Sequence, residues 1–451
     1  MNNRMRKIRI RNYKETMMNH TDKLKRDAAG IIAAVMIFGS VGCTAEEAGD
    51  KETAQGPEQT VTADTSGTSA VYDTSVNYGA VVMEDGEALT GGTYEATGDS
   101  ESAVDISGTS EASLTGSVII KSSGKASSAD DASFRGINSA VRAWGSSVLT
   151  LRDCTVKADA ENATGVFSYD GATVYIYDSV IDVTGGGAGG VQVAGGGTLI
   201  GEDLTVTSES KAAIRSDRGG GTIILDGGSY TSKGSNGCPA IYSTADITVS
   251  NAECVSVKSR AVIIEGKNSV TLDGCTLSGN DQSTKEGSVR ANVLIYQSAS
   301  GDASEGTGTF IMNGGSMTCL SGAMFYVTNT SAEILLSGTE LTLSEDGTLL
   351  TVSEGRWGRE GRNGGEALFS VSDQDLEGDI YVDSISSLEM KLSEVNYTGC
   401  VTGEGSVSVE LGSGSTWKLT GDSYITSLTG DTSGIDLNGH ALYVGGEVFS
   451  E

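Results

Sequence analysis

The sequence predicts an all-β solenoid, a chain wound into stacked coils of short strands, and three observations carry that prediction. The first is a recurring phrase, an alternating apolar strand running into a turn. It reads LTLRDCTV from Leu149, VYIYDSVIDV from Val174, TIILDGGSY from Thr222 and ITVSNAECVSV from Ile247. It returns as VTLDGCTL from Val270, FIMNGGSM from Phe310 and ILLSGTELTL from Ile334. The second is a period. Small–aliphatic starts at Val141, Val166, Val191, Ile214, Ile241, Val262, Val293 and Met324 are 25, 25, 23, 27, 21, 31 and 31 residues apart. The third is that no helical periodicity interrupts the pattern from Val104 onward, where Gly, Ser, Asp and Asn separate the strands. Strands at such a period make each repeat one coil, able to bury its apolar face only against its neighbours.

Residues 1–42 read as a lipoprotein signal peptide. Nine Lys and Arg against three acids precede the apolar run AAGIIAAVMIFGSVGC, Ala28 to Cys43. A charged segment, a short apolar one and small residues before a cysteine are the layout of a secretory signal. The run is too short for a membrane span, which needs about 20 apolar residues. SVGC, Ser40 to Cys43, resembles a bacterial lipobox, with Ser40 where Leu is usual. That resemblance implies lipidation of Cys43 and an extracytoplasmic, surface-exposed chain held on the bacterial cell membrane. Residues 43–75 are rich in Thr, Ser, Ala and Glu and poor in apolar residues. They cannot bury enough surface to offset their ordering entropy and are expected to form a disordered tether.

Without its first 42 residues the chain keeps 21 of 30 basic and 57 of 60 acidic residues, a net charge near −36. That balance argues against a nucleic-acid partner, whose phosphates must be met by Lys and Arg. Of seven cysteines, six remain once Cys43 is assigned to lipid. Cys154 and Cys275 occupy a place in the phrase where other copies carry Gly228 or Gly315, so they read as small buried hydrophobes with free thiols. No CxxC pair or Cys/His cluster has zinc spacing.

The coils themselves follow from residue 76. In VTLDGCTL, Val270 and Leu272 should point inward and Thr271 outward. Asp273-Gly274 should bend the chain, and Cys275 and Leu277 should rejoin the core. Like positions in successive coils should stack about 4.8 Å apart. TGGGAGG, Thr184 to Gly190, should be a corner; it leads into neither Lys-Ser/Thr nor a helix, so it is no phosphate loop. Asp153, Asp178 and Asp203 should stack as an acidic ladder. Such a ladder must splay its charges, protonate them or bridge them with a cation. A solvated Asp turn is the expectation; Ca2+ held by these three is the weaker alternative.

Over about 104–450 the pattern resembles the right-handed parallel β-helix of the pectate-lyase-like superfamily. STWKLTGDSYITSLTGDTSGIDLNGHALYVGG, Ser415 to Gly446, is similar to the closing coils of autotransporter passengers and adhesin-like β-helical lipoproteins. The resemblance implies a monomeric, single-stranded right-handed parallel β-helix over 76–451, with about 11–13 coils of roughly 21–31 residues. Lyases and polygalacturonases of that fold use clustered Asp/Glu, with calcium and a basic residue or as an acid–base pair. That cluster is not legible here. His440 is the only histidine beyond the signal and reads as a capping residue, so Ser/His/Asp catalysis is not expected.

Phase gives a candidate ligand face. If the small–aliphatic starts point inward, Arg142, Phe167, Arg215 and Tyr242 point outward, with Trp144, Tyr169 and Asp217 two residues further along. Aromatic rings beside Arg forks hold sugar rings or planar anions. Arg215, Asp217 and Arg218 form the one compact charged cluster, either a salt bridge or a lyase-like centre. The loop SEGRWGREGRNGGE, Ser353 to Glu366, places Arg356, Arg359 and Arg362 around Trp357, the most basic spot of the domain. The expected function is a surface-anchored adhesin or binding module for a glycan or host-surface ligand, with no cofactor. The alternative is an extracellular polysaccharide lyase or glycoside hydrolase acting on acidic polysaccharide. An enzyme needs carboxylates converging in a cleft, whereas an adhesin needs only exposed anchors.

Overall fold

The computed structural model describes residues 79–450 apart from 236, 285, 286 and 288; the signal, Cys43 and the tether lie outside the described residues. The chain is a right-handed parallel β-helix. Three parallel sheets run along it. The first has 13 strands, from Gly79–Val82 to Val401–Gly403. The second begins at Ala88–Thr90 and ends at Ser427–Gly430, and the third runs from Thr93–Ala96 to Glu340–Thr342. Every strand of these runs pairs with its counterpart one coil away, so ladder hydrogen bonds satisfy its backbone.

Register follows the repeat. Val141, Val166, Val191, Ile214, Ile241, Val262 and Val293 form one unbroken row of partners, all fully buried. The next residue in that row is Phe325, not Met324 as the spacing suggests. Met324 is buried too, but stands one residue ahead of that row.

The recurring phrase is the strand, corner and strand joining the second sheet to the third. In VTLDGCTL, Val270, Leu272, Cys275 and Leu277 are all fully buried, as the alternation requires. Gly274 makes the corner at φ +59°. Asp153, Asp178 and Asp203 hold the same corner in earlier coils at φ +52°, +49° and +54°. Asp and Asn are the side-chain-bearing residues that tolerate this left-handed conformation best, which is why they alternate here with Gly. At Gly315, one step past this corner, there is no room for a side chain: a Cβ would lie 2.0 Å from the Cys275 carbonyl oxygen. The six described cysteines are all free thiols, five of them buried and Cys238 partly so.

The third sheet stops at Thr342. Beyond it, two long strands, Gly365–Glu377 and Ser387–Thr398, bend where Asp373 and Glu394 take positive φ and cover both remaining faces. Trp417 closes the core by stacking on Tyr397 at 5.7 Å, its indole N–H donating to the Gly399 carbonyl. A small sheet, Ser423–Ile425 with Leu442–Val444 and Glu447–Val448, ends in an antiparallel hairpin that stops the parallel stack. His440 stands near it, 3.9 Å from Asp422.

One helix departs from the sequence expectation. Ala129–Arg135 (α1) starts at Ser128, whose hydroxyl accepts from the Asp131 N–H, and ends at Gly136 in the left-handed conformation. With Asp130 and Asp131 in its first turn and Arg135 in its last, α1 also complements its own dipole. No hydrophobic period marks it, because only Ala132 in it is buried.

Candidate functional site

The expected ligand face exists in register but not in exposure. Arg142, Phe167, Gln192, Arg215, Tyr242 and Ile263 are partners across six coils of the first sheet, with Trp144 and Tyr169 paired alongside. Yet Arg142 and Phe167 are fully buried and Trp144 and Asp217 nearly so, while Tyr169, Arg215 and Tyr242 are partly exposed. The open aromatic stripe is therefore corrected: insertions between coils lie across it.

The α1 insertion covers the first part. Arg135 O accepts from Arg142 Nε at 2.9 Å, Ser133 O accepts from Gln192 Nε2 at 2.7 Å, and Lys211 Nζ donates to Ser133 Oγ at 2.8 Å. Gly136 sits so tightly on Phe167 that a Cβ there would fall 2.5 Å from the ring. Beneath, Arg142 pairs with Asp105 at 3.5 Å and lies over the Trp144 ring, whose N–H donates to Asp105 at 2.9 Å. Burial pushes the Asp105 carboxyl up, and the Arg142 charge and Trp144 hydrogen bond oppose that.

Arg215 and Asp217 form a bidentate pair at 3.0 and 2.7 Å, with the guanidinium 4.6 Å from the Tyr242 ring. Burial disfavours the Arg215 cation, but Asp217 and Tyr242 outweigh it and its pKa is raised. Arg218 turns away to Asp302 at 2.7 Å and lies over the Phe134 ring of α1. So Arg215, Asp217 and Arg218 are salt-bridged rather than free to act on a substrate.

Glu265, which phase places in the same outward column as Trp144, Tyr169 and Asp217, is a buried carboxylate. Glu265 accepts from the hydroxyls of Tyr242, Tyr296, Ser298 and Ser300, which ties the 298–300 segment to the sheet. Burial pushes the Tyr242 phenol well up, with Tyr296 and Glu265 adding, so the tyrosine stays a donor. Tyr296 continues that column. Tyr296 in turn supports Trp357 at 4.5 Å.

The Ser353–Glu366 loop does reach an opening. A concavity of about 530 Å³ is lined by Val289, Glu354, Arg356, Gly358, Glu360 and Asn363 among others. The Arg356 guanidinium lies 5.0 Å from the Trp357 ring centre. Buried Asn363 shapes the loop by donating to the carbonyls of Gly355 and Trp357 at 2.6 and 2.8 Å. Arg359 and Arg362 are exposed.

Past this loop the first sheet is uncovered. Tyr381 is 45% and Tyr424 47% exposed, and Tyr424 stacks on Tyr443 at 4.9 Å with the rings 3° from parallel.

The acidic ladder makes no metal cage. Among the described residues no three His, Cys, Asp or Glu are grouped to hold an ion. Asp178 is instead met by Arg152 at 3.0 Å, and the corners set by Asp153 and Asp203 point their side chains outward from the turn. Among the described residues no helix is long and apolar enough to cross a membrane. No protein-family model, curated protein or solved structure significantly matches this chain.

Proposed function

We propose that the protein is a surface-anchored binding module of the adhesin type, built on the pectate-lyase-like β-helix and directed at a glycan or host-surface ligand. The observation that carries this reading is the concavity beside Trp357. There a loop on the solenoid presents exposed Arg356 to the opening, while Trp357, partly buried and outside the lining, packs on Tyr296 and holds the loop in place. Rigid scaffolds that hold recognition loops are a common division of labour, and Arg and Trp dominate binding energetics. Arg142 and Arg215 are engaged inside this face and Arg218 is paired at its surface with Asp302, which leaves recognition to its far part.

A glycan array on residues 76–451 tests the reading. Wild-type protein should bind a defined glycan set, and Arg356→Ala should weaken that binding by about tenfold, the effect of losing one interfacial anchor. Equal binding by the variant, or no glycan bound at all, would remove the proposal.

One observation favours the enzymatic alternative. Glu354 and Glu360 both line the same concavity, and two carboxylates flanking one sugar-sized opening are the minimum for glycoside hydrolysis. Asp217 does not serve that reading, since Arg215 holds it in a buried pair. Release of reducing or unsaturated ends that disappears in Glu354→Gln or Glu360→Gln, with binding retained, would decide for the enzyme.

Anchoring rests on SVGC, Ser40 to Cys43. Cells fed a fatty-acid analogue should label the wild-type chain. Cys43→Ala should carry no label and should appear in the medium. Identical labelling of both chains rules out lipidation at this cysteine.

A further inference from the structure

We infer that the outer face where the first sheet gives way to the small C-terminal sheet is a stacking slot for a ring of a neutral glycan, formed between Tyr381 and Tyr424 over Thr402. The inference builds on the glycan-binding reading but assigns it a second, separate place.

The strands fix the geometry. Tyr381 pairs with Thr402 across the ladder, and both flank inward residues, Ile380 with Val401. Ser423–Ile425 follows Val401–Gly403, with Val401 N–H donating to Ser423 Oγ at 3.1 Å. Its burial alternates as in Asp379–Val382, which puts Tyr424 on the same outer side as Tyr381. Tyr443 is the ladder partner of Tyr424. The outer row therefore reads Tyr381, Thr402, Tyr424, Tyr443: three rings and one missing rung.

Tyr381 and Thr402 are ladder partners, about 4.8 Å apart. Ser423–Ile425 lies beside Val401–Gly403 through the Ser423 side chain rather than a backbone ladder, so the gap from Tyr381 to Tyr424 is about two rungs or more. A ring seated above Thr402 would lie between the two tyrosines, facing Tyr424 on the side opposite Tyr443, which already stacks on it at 4.9 Å. Thr402 keeps the floor low, its hydroxyl turned back to donate to the Ile380 carbonyl at 3.2 Å. The 353–366 loop touches the edge of this region, where Asp383 accepts from the Glu354 N–H at 2.6 Å, and the two rings are nearly half exposed.

Charge selects the ligand. Asp379, Glu404 and Asp422 are exposed around the slot and Asp383 is partly so. The segments 379–385, 400–405, 421–427 and 440–447 contain no Lys or Arg. A uronate, sialylated or sulfated chain would meet acidic repulsion with only His440, beside Asp422, to offset it. A neutral sugar offers apolar ring faces to the tyrosines and hydroxyl donors to the surrounding carboxylates.

Affinity electrophoresis of residues 76–451 in gels containing a neutral β-glucan, a neutral galactomannan or polygalacturonate provides the test. At least one neutral polymer should retard the wild type, and polygalacturonate should not. Tyr381→Ala/Tyr424→Ala should weaken retardation at least tenfold. Thr402→Tyr should do the same with every tyrosine still present, because the added ring fills the missing rung. Unchanged circular dichroism in both variants keeps loss of binding separate from loss of fold. Retardation of Thr402→Tyr equal to wild type, or preference for polygalacturonate, overturns the slot. If these variants bind normally and Arg356→Ala does not, the slot falls while the binding function stands. If the wild type binds no glycan in gel or on the array, both fall together.

Discussion

Arg142→Ala should destabilise the protein by about 3–5 kcal/mol, the usual result of removing one partner from a buried ion pair. Arg142 is fully buried, and its loss strands Asp105, which is 1% exposed and already pushed toward its neutral form by burial. The Trp144 N–H would remain as the one hydrogen bond named for that carboxylate, at 2.9 Å. Arg142 also links the sheet to α1 through the Arg135 carbonyl, so the same change should loosen the cover over Phe167. Chemical denaturation should show the stability loss, and hydrogen exchange should show it first in residues 128–140. The control is Arg142→Met/Asp105→Leu. A packed apolar pair of similar volume often equals or exceeds a buried ion pair. The double variant should therefore recover most of the loss. If Arg142→Ala alone proves as stable as wild type, the pair contributes nothing and the burial argument is wrong.

That ion pair also marks what the sequence could and could not reveal. The inward row from Val141 to Val293 was legible because backbone periodicity and core burial impose the same two-residue alternation on every coil. The corner residues were legible for a similar reason: only Gly, Asn and Asp sit easily at positive φ, so Asp153, Asp178 and Asp203 mark turns wherever they recur. Register failed at Met324, where Ala323-Met324 mimics the small–aliphatic start one residue ahead of Phe325, the partner of Val293. The site was harder. Outward phase says which way Arg142 and Phe167 point but not whether water reaches them, and α1 covers them with three backbone or hydroxyl contacts that leave no apolar pattern. The burial of Glu265 was hidden for the same reason: phase puts it in the outward column, and only partners such as Tyr296 and Ser298, 31 and 33 residues away, enclose it. Where the outer face is open, at Tyr381 and Tyr424, the phrase had lost its regular length and no longer pointed to it.

The largest effect should come from two neighbouring isoleucines given the same substitution. In the strand Gly221–Asp226, Ile223 is fully buried inside the coil and Ile224 is only partly covered on its outer face. Ile223→Asp removes a buried aliphatic side chain, worth about 2–5 kcal/mol, and puts an unpaired carboxylate in its place. Its ladder neighbours Leu199 and Ile247 are apolar and buried, so nothing nearby can pair with the charge. The expected cost exceeds about 5 kcal/mol in total, enough to unfold the affected coils. Ile224→Asp faces Ile200 and Thr248 on the outer surface, where water can solvate the charge, and should cost about 1 kcal/mol or less. Because each coil contacts only its neighbours, Ile223→Asp should split the solenoid rather than weaken it evenly. Hydrogen exchange should reveal a zone of lost protection centred on residues 197–250, with the coils beyond Ser269 retaining theirs. Thermal melts of the two variants provide the direct comparison. Closely matched melting points would mean that phase does not govern this strand, and the inward row on which the fold rests would have to be redrawn.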